Sequence, residues 1–314
     1  MAASVRVSVI IPHLNEPDDL RRCLNALEAQ RECAPPFEVI VVDNGSDTPP
    51  DDVVVDFPGT RLLVQPVPGP GPARNLGVEA SSGDIIAFLD ADCLPQSKWL
   101  KRIVDFFDRN RQVSGLGGSI GIEPAVPDRM TAVEAYEAIF SYRTKQFVER
   151  DHFAATGNMA VRRSVFIKVG PFDGIGTHED KLWGQRARAL GYIIAYLPQA
   201  RVLTPACSDF DSLKKRIDRH VAHCAGEVAP RLWPRIKWVG LAGAMVMSPL
   251  AAIPEIARSQ EVPVLSNKFQ AFGCLIVVRA YRGWRMLRAL RAEVIAQTIG
   301  SWNRTLASGK KEEG

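Results

Sequence analysis

Along the first half of the chain, short, mostly apolar runs alternate with stretches whose apolar residues recur every three or four positions. Val5 to Ile11 is an apolar, β-branched run closed by Pro12, and Phe37 to Asp43 and Ile85 to Leu89 repeat the pattern. Runs of this length, without polar alternation, predict strands buried on both faces. Arg61 to Val64 predicts a shorter one. Between them, Asp18 to Gln30 sets Leu20, Cys23, Leu24 and Leu27 on one helical face, with acids in its first turn. Ala73 to Ser82 and Gln96 to Asn110 predict further helices. Strand–helix–strand order with short connections predicts an α/β fold, a mostly parallel sheet with helices on both faces.

The middle third is less regular. Residues 126–149 carry a helical pattern through Ala135, Ile139 and Tyr142, and "FAATGNMAVRR" predicts a strand with a glycine break. "HEDKLWGQRARALGY" (His178 to Tyr192) predicts an amphipathic helix carrying Leu182 and Leu190, and "IIAYLP" a strand. Character changes after about Ser208. Asp209 to Val228 is helical and basic. Trp238 to Ile253 has no charge but is interrupted by Pro249, and falls short of the roughly 18–20 apolar residues of a spanning helix. Arg279, Arg282, Arg285, Arg288 and Arg291 then recur every third residue, with Trp284, Leu287 and Leu290 between them. This suits a basic amphipathic helix in peripheral contact with an anionic membrane through 279–291. It suits equally a solvated face on a helix packed against the first domain. The expected division is therefore 1–207, an α/β catalytic domain, and 208–314, a helical, basic and apolar extension.

Composition narrows the functional classes. Of 314 residues, 46% are hydrophobic and 24% charged, which is ordinary for a globular chain, and a net charge of +4 gives no reason to expect nucleic acid. Six cysteines without a CxxC read as reduced thiols. The start, "MAASVRVSVIIPHLNE", reads as a first strand rather than a secretory signal. Both features favour a cytoplasmic protein, at most peripheral on the inner face of the cell membrane.

In open α/β sheets, ligands bind beyond the carboxyl ends of the strands. Here those ends read "PHLNE", "DNGSD" and "DAD", a carboxylate-rich edge. The glycine fingerprint of a dinucleotide site is missing after strand one, where "HLNEPDD" stands. "GPGPARNLG" opens a helix with Arg74 near its start, an arrangement that suits phosphate. Asp90 and Asp92 have two readings: Asp92 caps the helix beginning near Pro95, or the pair holds a hard divalent cation with substrate phosphate oxygens. With Asp43 and Arg74 the balance tips towards a nucleoside diphosphate ligand.

Five segments in order, "VSVIIPHLNE", "VIVVDNGSD", "GPARNLGVEASSGDIIAFLDADC", "ATGNMAVRRSVFIKVGPFD" and "HEDKLWGQRARALGY", resemble the inverting glycosyltransferases of family 2, with the GT-A nucleotide-sugar fold. The resemblance covers roughly residues 5–205. It implies that Asp43 contacts the base of a sugar nucleotide, with Pro12, Leu14 and Glu16 lining that pocket, and that Arg74 serves base or diphosphate. Asp90, Ala91 and Asp92 would form the family's DxD, with Asp90 near the ribose and Asp92 on Mg²⁺ or Mn²⁺. Thr156, Gly157 and Asn158 would lie by the donor sugar or acceptor, and Asp180, beside Glu179, would be the general base. The acids at 179 and 180 are also what a helix start favours through its dipole. Where such proteins often carry a metal-binding His after the last strand, this chain has Thr204; His178 could stand in, though a lone surface His is the plainer reading. The acceptor implied is a carbohydrate or a lipid-linked one.

Two other classes remain in view. A nucleotidyltransferase would want a glycine-rich, lysine-bearing loop after strand one, which "PHLNEPDD" lacks. A nucleotide-sugar-binding or membrane-scaffold protein without catalysis is favoured only by Thr204 and opposed by Asp180.

Overall fold

Apolar runs bounded by polar strand ends fold as the pattern requires. A computed structural model describes residues 5–126, 129–174, 178–226 and 232–289; Leu290 and Arg291 lie outside them. In chain order the elements begin β1 (Val7–His13), α1 (Pro17–Glu28), β2 (Phe37–Asp43), α2 (Asp51–Val54), β3 (Thr60–Val64), α3 (Pro70–Ala80) and β4 (Ile85–Leu89). There follow β5 (Leu94–Pro95), α4 (Trp99–Arg109), β6 (Gly115–Glu123), α5 (Ala132–Phe140), α6 (Thr144–Glu149), β7 (Asn158–Arg162), α7 (Arg163–Val169), α8 (Glu179–Ala189) and β8 (Ile194–Pro205). The remainder is helical: α9 (Phe210–Gly226), α10 (Leu232–Met247), a 3-10 turn (Ser248–Ala252), α11 (Ile253–Arg258) and α12 (Leu265–Arg288). Contacts divide the chain into two units, Met1–Glu123 with Tyr142–Pro205, and Pro124–Ser141 with Ala206–Gly314.

The first unit is one eight-stranded sheet, ordered β3-β2-β1-β4-β7-β6-β8-β5. Strands β1 to β4 are mutually parallel, β7 runs antiparallel to both its neighbours, and β6 is parallel to β8. Alternate residues of β1 feed two apolar layers. Val9 and Ile11 join Trp99, Ile103 and Phe107 on one face, while Ile10 joins Phe88, Phe166 and Trp183 on the other. Because β7 is antiparallel, its start lies beside the end of β4, with Asn158 opposite Leu89. The last residues of β8 reach the same edge, where Thr204 pairs with Ile122 of β6.

The sequence pattern predicts no strand at 115–123, where the structure has β6. "GLGGSIGIE" has four glycines and no apolar run, the composition least favourable to strands. The glycines are there for space: a Cβ on Gly118 would collide with the Ala200 carbonyl and the Asn158 amide. On α8 the buried side is Trp183, Gly184 and Ala187, whereas Leu182 and the residue beyond the helix, Leu190, are exposed.

The 126–149 helical pattern breaks at 141–143, and residues 124–141, expected in the first domain, belong to the second unit. There Val133 packs with Leu213, Trp238 and Val278, and Ala135 with Val262 and Ala271. Glu134 closes a capping box with Thr131. Glu137, fully buried, accepts from the Cys207 amide and pairs with Arg216.

Two expectations about this region change. Helix α10 is continued by the 3-10 turn and α11, so Arg235–Arg258 is long and apolar enough to cross a membrane by length and composition. The arginines of α12 do not form an outward stripe. Arg285 is bonded to Asp218 at 2.6 Å and Arg279 to Ser248 at 2.5 Å, while the Arg282 Nε is buried without a partner. Trp284 and Leu287, between them, are exposed, and of the four arginines only Arg288 is exposed with them.

Candidate active site

The cleft is assembled where apolar strands stop. Leu89 is the last fully buried residue of β4, and the chain turns directly through Asp90, Ala91 and Asp92, closed by the Cys93 amide donating to the Asp90 carbonyl at 3.0 Å. The capping explanation for Asp92 fails: β5 intervenes and α4 starts at Trp99, behind Lys98 in a left-handed conformation. Asp92 instead turns to β8, accepting a hydrogen bond from Thr204 Oγ1 at 3.1 Å. Ala91 is buried in the core, so its methyl group packs rather than faces a ligand.

Arg74 sits four residues into α3 with its side chain 4% exposed, donating to Asp90 Oδ1 at 2.7 Å and to Glu179 Oε1 at 3.0 Å. Burial opposes its charge, but Asp90 and Glu179 outweigh it and hold the guanidinium more firmly protonated than usual. Its Nε is buried without a partner. One cation thus joins β4 to the start of α8.

Asp180 has no such partner. It lines a cavity of about 130 Å³ with Asp90, Asp92, Thr156, Gly157 and Thr204. Burial, then the charge of Glu179, pushes its carboxyl up to about 6. Asp92 is raised to about 6 by burial and by Asp90. Glu16, exposed on its outer edge, has protein crowded around its carboxyl, and with Asp92, Asp19 and Asp90 adding like charge it rises to about 7. Among the described residues no cationic side chain pairs with Asp92 or Asp180. The carboxylates suit a hard divalent cation: they offer oxygen ligands in excess negative charge, and the Arg74 guanidinium is already shared between Asp90 and Glu179.

Asp43 and Asn158 take different places from those expected of ligand contacts. Asp43, at the end of β2, is 1% exposed and its oxygens are filled by its own chain. Oδ2 accepts from the amides of Gly45 and Ser46, and Oδ1 meets Ser46 Oγ and His13 Nδ1 at 2.5 and 3.1 Å. Burial alone would raise its carboxyl; these bonds outweigh it and hold it below the usual range. Asp43 therefore fixes the 43–46 turn beside Pro12 and Leu14, which are half-buried at the end of β1. Asn158 points into the core. Its Nδ2 donates to the carbonyls of Ser119 and Ala200, both at 2.8 Å, and its Oδ1 accepts from Trp99 Nε1 at 2.9 Å. The residue before it faces the cleft, since a Cβ on Gly157 would stand 2.8 Å from Asp90 Oδ2.

Tyr142, Ile120, Cys93 and Ala155 also line the cavity and were not singled out by sequence. The helical pattern of 126–149 sets Tyr142 on one face with Ala135 and Ile139; the break at 141–143 frees it to reach Thr204 and the two aspartates, whose charge adds to burial in raising its phenol.

Comparisons with known proteins agree with the geometry. The family model "Glycosyl transferase family 2" matches residues 8–170. Glycosyltransferase AglE of Haloferax volcanii is 34% identical over 219 residues, 67% of this chain and 70% of that protein. An uncharacterized glycosyltransferase of Nostoc sp., alr2836, is 26% identical over 63% of this chain and 62% of its own length. Among solved structures, the mannosyltransferase PcManGT from Pyrobaculum calidifontis, in complex with GDP-Man and Mn²⁺, superposes with a TM-score of 0.58 at 16% identity, over 93% of this chain and 89% of that one. The likeness bears out the GT-A fold.

Proposed function

The chain belongs to glycosyltransferase family 2, and from that premise we propose that it moves a sugar from a nucleoside-diphosphate donor to an acceptor hydroxyl with inversion, in polysaccharide or glycolipid assembly. The observation that carries this reading is the unpaired Asp180 carboxyl, held in one cavity with Asp90 and Asp92.

Direct displacement at the anomeric carbon needs a base on the acceptor side and stabilisation of the departing diphosphate. Asp180 takes the proton of the acceptor hydroxyl on its carboxylate as the oxygen attacks. With its carboxyl near 6, it is mainly ionised at neutral pH yet basic enough to share a proton in the transition state. Glu179, tied to Arg74, keeps the guanidinium in place and is not the base. Asp90 completes that clamp, and its own partly exposed carboxylate is left towards the donor ribose. Asp92, oriented by the Thr204 hydroxyl, would hold Mg²⁺ or Mn²⁺. Bound there, the cation supplies neutralisation of the phosphate oxygens. Carbohydrate or a lipid-linked sugar is the acceptor class.

The test is release of nucleoside diphosphate from a panel of sugar nucleotides with Mn²⁺ or with EDTA. Metal-dependent release from one donor, lost in Asp180→Asn only when acceptor is present, supports the reading. Tight donor binding without turnover of any donor or acceptor would sink it in favour of a binding protein.

A further inference from the structure

In water a helix of the second unit should bury its apolar side and expose its charges. Helix α12 is instead apolar on both its inward and its outward side. The inward face of α12 holds Ala271, Cys274, Leu275, Val278 and Met286. Its basic residues are also drawn inward or sideways: Lys268 donates to the Ala257 carbonyl, Arg279 to Ser248 and Arg285 to Asp218. What remains outward is Leu265, Phe269, Ile276, Val277, Trp284 and Leu287, each between 45% and 69% exposed.

Helix α10 continues the surface. It lies alongside α12, where Gly283 admits Ala242 and Val246 and Trp238 Nε1 donates to the Met286 carbonyl at 2.7 Å. Only 22% of the most apolar window of Arg235–Arg258 is buried, and Met247 and Leu250 are 77% and 68% exposed. A soluble protein's core helix would be mostly buried, and a signal sequence would lie near the N-terminus; this segment is neither. Fourteen of the described large apolar side chains between Ile236 and Leu287 are exposed, far beyond scattered surface residues.

Charge says what covers it. Residues 232–289 hold eight Lys or Arg and two Glu. Exposed Lys237 and Arg288 lie at the same end of the hairpin, and the Arg288 guanidinium stacks 4.8 Å from the Trp284 ring. An aromatic ring and basic groups bordering an apolar surface match the boundary between acyl chains and anionic head groups. We propose that the second unit seats on an anionic lipid bilayer, with the outward faces of α10 and α12 in the acyl layer and Trp284, Arg288 and Lys237 at the head groups. The contact is made by the apolar face, not by an arginine stripe.

Flotation of the full chain with vesicles of phosphatidylcholine, alone and mixed with phosphatidylglycerol, tests this. Wild type is expected to float, and more completely with phosphatidylglycerol. Phe269→Glu and Ile276→Glu, whose side chains face outward, should each cut the floating fraction about tenfold while keeping the wild-type Tm and donor hydrolysis. Brominated acyl chains should quench a part of the fluorescence that Trp284→Phe removes. Wild type remaining unbound to both vesicles would overturn the proposal, as would variants that float like wild type. A soluble dimer that Ile276→Glu makes monomeric, with no flotation, would assign the face to a second copy instead. Because hydrolysis is read in parallel, loss of the transfer reading and loss of the membrane reading are distinguishable.

Discussion

The two units are unbalanced in opposite ways. The first buries its apolar residues thoroughly, with Ile10, Ile11, Phe88 and Trp99 at 0% exposure, and gathers in one cavity Asp92 and Asp180, with which no cationic side chain pairs among the described residues. The second neutralises its charges internally, Asp218 with Arg285 and Glu137 with Arg216, and leaves its apolar side chains outside. A self-sufficient soluble fold would do neither. On the readings proposed above, each mismatch has its companion: a cation and an anionic donor for the cleft, a lipid surface for the helices.

The hardest blow to this contrast falls on Asp180. Asp180→Asn should lower kcat about 10²- to 10⁴-fold, the range of a lost general base, with donor affinity by calorimetry unchanged. If kcat survives, the unpaired acid is merely buried.

Next come paired experiments of opposite sign. Arg285→Met should destabilise the protein by about 2 kcal/mol in a urea titration, because it strands Asp218 in a part-buried place. Asp92→Asn should instead stabilise the metal-free protein by about 1 kcal/mol at pH 8, by removing a crowded like charge. The same substitution should abolish the Tm rise on adding Mn²⁺, more completely than Asp90→Ala. Equal signs for the two substitutions would dissolve the comparison.

The smallest effect is in pH. Asp180 has a folded pKa above its unfolded value, so the folded state binds the extra proton. Stability in EDTA should therefore fall as pH rises from about 4 to about 6 and stay lower above, with the slope reduced in Asp180→Asn. Activity should move the other way, rising through about 6 as the base ionises.

Much of the cleft was legible because strands β1, β2 and β4 are short, mostly apolar runs that stop abruptly, which fixes where Asp43, Asp90 and Asp92 must emerge. Direction was harder. Asp43 and Asn158 stand at strand ends like ligand-binding residues, yet their hydrogen bonds turn back into the chain. Nothing in a strand's composition announces that. The arginines misled for a geometric reason: successive steps of three residues rotate about 60° around a helix, so Arg279 to Arg288 cannot share a face. Strand β6 was hidden because its role is to be thin.

Asn158 has a consequence for the order in which the chain can be completed on the ribosome. Its amide bonds to Trp99, Ser119 and Ala200, which stand 59, 39 and 42 residues away in sequence. The glycine-rich strand it grips has few side chains of its own to hold it. A growing chain that has not yet delivered Ala200 carries a buried amide with a bond unmade and β6 without its parallel neighbour. The catalytic unit should therefore become protease-resistant only after residue 205 has left the exit tunnel, in one late step; stalled chains of increasing length would show protection earlier if β6 can close without β8.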